Sequence, residues 1–204
     1  MFCIAMAASS RGGAGAGAPL IIGFALLCCV YLGGHLSGAH YNPAVTLSIF
    51  LRGKMESSEV APYWIAQFLG SLAAFAMGWW ISGGTVAIAP GPEVGAFKAV
   101  VVEILFTFML ALVVLNVATH PKTAGNSYYG LAIGFTIVVA AYVGGGISGG
   151  AFNPAVGFGA TVINAIWGGG SWGNLWIYIV GPLVGGALAA FAYTALSGPD
   201  GEPA

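Results

Sequence analysis

Charge is what this chain has least of. Lys, Arg, Asp and Glu together make up 5% of its 204 residues, against about a quarter in soluble domains. A surface so poor in charge cannot face water all round. The net charge of −1 gives no electrostatic case for nucleic acid or for an acidic partner. Cysteine is scarce too. Cys3, Cys28 and Cys29 make no ligand spacing, and they read as apolar filler rather than as a zinc, haem or dithiol motif. No nucleophile–base pair, paired carboxylates or phosphate loop stands out, which disfavours an enzyme and calls for no cofactor. The charge pairs that couple ions in secondary transporters are also missing. Apolar residues fill the gap, at 58% with a mean hydropathy of +0.92. The 34 glycines show no three-residue period, so the chain is not collagen-like. Glycine at this density suits membrane helices whose backbones pack closely.

A spanning helix needs about 20 mostly apolar residues. Such runs occupy 19–34, 62–81, 97–119, 128–144 and 173–196, separated by polar or Gly/Pro-rich breaks. A short polar tail covers 198–204. Residues 1–7 have the apolarity of a signal-peptide core but lack its basic n-region. Two apolar stretches, 42–51 and 153–166, are too short to span. At 1.5 Å per residue, ten residues cover roughly 15 Å, half of a hydrocarbon core of about 30 Å. Both follow Gly-rich segments and read as re-entrant half-helices, which lipid tolerates only when protein buries their irregular ends.

Both short stretches open on the same words. SGAHYNPAV runs from Ser37 to Val45, and SGGAFNPAV from Ser148 to Val156, 111 residues later. At that offset, residues 20–45 match half of 131–156, with Ile22-Gly23-Phe24 on Ile133-Gly134-Phe135 and Tyr31 on Tyr142. Gly70 falls on Gly181. Each half is helix, helix, half-helix, helix. An odd number of spans per half means the halves enter from opposite sides, an inverted repeat. The expected halves are 1–82 and 96–197 of a single membrane domain, 1–204. The same offset carries the N-terminal end of run 97–119 to about fourteen residues before Met1, so the first helix is expected to be truncated.

SGAHYNPAVT, SGGAFNPAV, the duplicated halves and the Glu103-xxx-Thr107-Phe108 pattern resemble the aquaporin and glycerol-facilitator (major intrinsic protein) family. That resemblance implies an all-α membrane fold: six tilted spanning helices, here with the first cut short, and two half-helices around a narrow pore. It implies homotetramers in a lipid bilayer with one pore per subunit, passing water or small neutral solutes such as glycerol or urea. The bilayer is the plasma membrane or an intracellular one.

The residue chemistry agrees. Asn is a preferred N-cap and Pro a preferred first helical residue. Asn42-Pro43-Ala44 and Asn153-Pro154-Ala155 should each start a half-helix, each Asn oxygen held by backbone N–H and each amide NH₂ facing the pore. The positive ends of both half-helices then meet at the midplane. This is the handling of protons and cations attributed to aquaporin-type pores in general.

In the family a second constriction is usually formed by four residues, including an Arg three positions after the second motif Asn. Carried over by spacing, the four are Ile22, Ala141, Gly150 and Val156, with Val156 at the Arg position. None brings a side-chain donor, so a wide, apolar constriction is expected. Two readings follow: a broad facilitator for neutral solutes, which the remaining Asn pair favours, or a pore with weakened proton and cation exclusion. A non-conducting structural or adhesion protein, or an inactive fragment, is the rival outside the channel class.

By resemblance, Glu103 accepts hydrogen bonds from the irregular loop before a half-helix, and His40 stands at the cytoplasmic pore entrance. For His40, a pH gate and a histidine satisfied by nearby backbone are both open. Trp64, Trp79, Trp80, Trp167, Trp172 and Trp176 suit an interfacial belt. Arg52, Lys54 and Lys122 fall on the side that family topology calls cytoplasmic, Arg11 and Lys98 on the other.

Overall fold

The long helices of this chain turn large apolar side chains outward. Leu32, Leu36, Trp80, Phe97 and Leu196 are among its most exposed residues. Where the helices meet, glycine lets them approach. A Cβ at Gly23 would sit 2.6 Å from the Gly134 carbonyl oxygen, and one at Gly134 would sit 2.7 Å from that of Gly23. This reversed packing, small residues inside and bulky ones outside, is what a lipid solvent selects.

The computed structural model describes residues 1–197; the polar tail 198–204 lies outside the described residues. The elements are α1 (Phe2–Ala7), α2 (Ala18–Ser37), α3 (Pro43–Leu51), α4 (Ser57–Ser82), α5 (Ala96–Val114), α6 (Tyr129–Ser148), α7 (Pro154–Trp167) and α8 (Leu175–Ser197). Among the described residues, five helices are long and apolar enough to span: α2, α4, α5 with its π-helical extension through Thr119, α6 and α8. α1 has six residues.

Several bounds differ from the sequence reading. α4 starts at Ser57, five residues before Pro62, because Glu59 folds back to accept from the Glu56 N–H at 3.3 Å and so satisfies the helix start. α6 runs on through its glycines to Ser148.

The packing repeats. α5 lies against α8 and α6, and α1 lies against α4 and α2. The core forms two lobes, one holding Val45 and Ile49 of α3 and the other Val156 and Ile163 of α7. The chain therefore carries an inverted repeat, with the two half-helices meeting at its centre.

Candidate pore

Each half-helix is started by its own Asn. Asn42 is extended (φ −151°), and its Oδ1 accepts from the Ala44 N–H at 2.9 Å. Asn153 is extended (φ −162°), and its Oδ1 accepts from Ala155 N–H at 2.9 Å and Val156 N–H at 3.4 Å. Pro43 and Pro154 take the first helical position, where the missing N–H costs nothing.

The two caps are then tied to each other. Asn42 Nδ2 donates to the Phe152 carbonyl at 2.8 Å, and Asn153 Nδ2 donates to the Tyr41 carbonyl at 2.9 Å. Each amide therefore spends one N–H on the opposite loop and keeps one. The sequence reading had both N–H groups facing the pore, and the cross-tie corrects it. Tyr41 and Phe152 present those carbonyls by adopting the left-handed region, both at φ 49°. Such backbone costs about 1–3 kcal/mol per non-glycine residue, and here each strained residue is held by the tie it makes.

The loops leading in also match. α2 ends on Gly38 (φ 79°) and α6 on Gly149 (φ 96°), both left-handed and each donating its N–H back to the helix. Beyond them, Ala39 and Gly150 share the left-handed region at φ 52° and 71°. At the same repeat position, α8 supplies Gly186, where a Cβ would lie 2.4 Å from the Ala44 carbonyl oxygen, and α4 supplies the buried Phe75. On that side α7 makes the room, through Gly159.

Glu103 is fully buried on α5. Its carboxylate accepts from Ser148 Oγ at 2.7 Å, Ala151 N–H at 3.0 Å and Phe152 N–H at 2.6 Å. The Tyr178 hydroxyl adds a bond to the Ser148 carbonyl at 2.6 Å. The second loop is thus fixed from α5 and α8.

His40 has other partners. Its N–H donates to the Tyr63 hydroxyl at 3.1 Å, its ring stacks on Tyr63 at 4.5 Å, and Nδ1 lies 3.1 Å from Thr46 Oγ1. Thr46 also bonds the Asn42 carbonyl and receives Gln67 Nε2 at 3.0 Å. Burial lowers the imidazole pKa from 6.5 to about 4.

Asn42, Asn153, Ile22, Ala141, Gly150 and Val156 all line one continuous cavity of about 1650 Å³. Val156 is only 3% exposed and belongs to the core lobe around α7, so it closes the wall more than it reaches into the space.

One sequence reading needs correction. Trp64, assigned to the belt, is part-buried and donates Nε1–H to the Pro43 carbonyl at 3.2 Å; Trp80, Trp172 and Trp176 are exposed. Arg52, which family topology puts on the cytoplasmic side, is 6% exposed, with Nη2 donating to the Tyr193 hydroxyl at 3.1 Å and the guanidinium 4.5 Å from that ring. Tyr63, Thr46, Gln67 and Tyr178 escaped the sequence reading. The available signal was a polar group inside an apolar run, sharpened by the repeat: Gln67 and Tyr178 occupy the same repeat position.

The major intrinsic protein family model matches residues 4–193. Aquaporin TIP1-2 of Musa acuminata is 40% identical over 179 residues, covering 86% of this chain and 69% of that protein. Aquaporin TIP1-1 of Arabidopsis thaliana is 39% identical over 173 residues, covering 83% and 67%. Among solved structures, the aquaglyceroporin from Plasmodium falciparum superposes with a TM-score of 0.79 at 22% identity, over 94% of this chain and 86% of that one, which establishes a shared fold. With apolar helices long enough to span a bilayer and a family match over nearly its whole length, the chain belongs to the major intrinsic protein family of integral membrane channels.

Proposed function

We propose that this chain forms a passive pore for small neutral solutes, water included, running past Asn42 and Asn153. The observation that carries the reading is the reciprocal tie of the two caps, which leaves one N–H on each amide beside a single continuous cavity. A water or hydroxyl oxygen passing there can accept from both. Its own hydrogens must then point away along the pore, so a proton cannot be handed through that molecule.

The half-helix ends oppose cations. Each carries roughly half an elementary charge, so the pair supplies about as much positive potential as one arginine. That is why neutral-solute selectivity is the reading we favour, despite Val156. Ile22, Ala141, Gly150 and Val156 form the selectivity constriction in this proposal. Apolar and without a charged donor, it would hold a water file weakly and obstruct glycerol- or urea-like solutes little. Residues 1–82 and 96–197 act as the two halves of one channel domain, Glu103 and His40 support the loops, and subunits assemble as tetramers in the plasma membrane or an intracellular membrane.

The test is stopped-flow swelling of vesicles holding the full chain, under water, glycerol and urea gradients with a trapped pH dye. Neutral-solute flux above empty vesicles without acidification is the expected result. Acidification matching the solute flux would favour the leaky-pore reading. Folded protein with no flux of any kind would favour a structural role.

A further inference from the structure

The two pore loops share a backbone but not a brace. On the second loop, Glu103 holds Ser148 and the N–H of Ala151. The same repeat positions on the first loop are Ser37 and His40. Both are held by one phenol. The Tyr63 hydroxyl accepts from the His40 N–H at 3.1 Å and donates to the Ser37 carbonyl at 2.9 Å. A phenol has one proton to give and lone pairs to receive with, so both bonds form at once.

The brace also reaches the cap. The Tyr63 ring stacks on His40 at an interplanar angle of 17°. His40 Nδ1 meets Thr46 Oγ1 at 3.1 Å, and Thr46 bonds the Asn42 carbonyl at 3.2 Å. Tyr41, the next residue, offers the carbonyl that receives Asn153 Nδ2. Moving the His40 backbone therefore moves the tie between the two caps.

We propose that Tyr63 is the positioning residue of the first pore loop, performing from α4 the tether that Glu103 performs from α5 on the second. Its role in permeation rests on the pore reading above; its role as a tether does not.

The test pairs hydrogen exchange with flux, on the full chain in lipid nanodiscs and vesicles. Tyr63→Phe keeps the ring and removes the hydroxyl. Losing that bond should raise amide exchange over 38–41 by about tenfold, the worth of one hydrogen bond, and leave 149–152 protected. Glu103→Gln should do the reverse, loosening 149–152 and sparing 38–41. A general loss of structure would open both loops together, so this split is a readout that a merely structural role would not produce. Water permeability of Tyr63→Phe should fall severalfold, and His40→Ala, which retains the backbone N–H, should fall less. Unchanged exchange at 38–41 in Tyr63→Phe, or both loops opening together, would overturn the tether. A normal exchange split with no change in the flux of a conducting protein would overturn its part in permeation. A wild-type chain that conducts nothing would remove the pore reading and leave the exchange result to judge Tyr63.

Discussion

The loop before α3 and the loop before α7 follow the same path with different chemistry. Left-handed residues recur at Gly38 and Gly149, at Ala39 and Gly150, and at Tyr41 and Phe152. Yet the second loop hangs on a buried carboxylate accepting three hydrogen bonds, and the first on a neutral hydroxyl with one bond in and one out. What the two loops must share is the placement of two carbonyls, Tyr41 and Phe152, for the crossed amides. Any donor and acceptor set that achieves this placement serves.

The sharpest way to break the comparison is Glu103→Ala. It strands two buried N–H groups at a cost of about 1–3 kcal/mol each, plus the Ser148 bond. That total is a large part of a typical stability of 5–15 kcal/mol, roughly speaking. We expect a marked drop in thermal stability in detergent, larger than for Tyr63→Phe, with Glu103→Gln in between because its carbonyl still accepts. Equal losses from Glu103→Ala and Tyr63→Phe would mean that the two braces carry similar weight.

A second contrast separates the loops from the proposed constriction. Val45 and Val156 hold the same repeat position and are both 3% exposed. Val156→Arg puts a charge worth about 4 kcal/mol against a cation at 4 Å, for an effective dielectric of 20, and narrows the cavity. Glycerol flux should fall severalfold relative to water in folded protein. An unchanged solute profile would move the constriction elsewhere.

The smallest effect concerns pH. With its pKa lowered to about 4 by burial, folded His40 stays neutral between pH 8 and about 5.5, so flux should be flat over that range. Stability should decline as pH falls below 6.5, the unfolded value, because the unfolded histidine takes a proton that the folded one does not. A step in flux near pH 6.5 would restore the gating alternative.

The fold was readable because lipid imposes long apolar runs and the repeat fixes what each run is. The half-helix starts were readable because Asn-Pro is a local signal. The braces were harder. Tyr63, Gln67 and Tyr178 are polar groups within apolar helices, and only the folded loops show which backbone atoms they meet. The crossed amides were hidden for the same reason: the carbonyls that receive them belong to the other loop, at the far end of the repeat offset.

In the proposed pore, the two halves act through an equivalent pair of amides. The most direct test is water and glycerol permeability, measured side by side in vesicles, for Asn42→Ala and Asn153→Ala. Each change removes one cap, worth about 1 kcal/mol, and one cross-tie of similar size. Both variants should lose permeability to both solutes by a similar factor, about tenfold or more. Loss from one variant with full conduction by the other would contradict that equivalence.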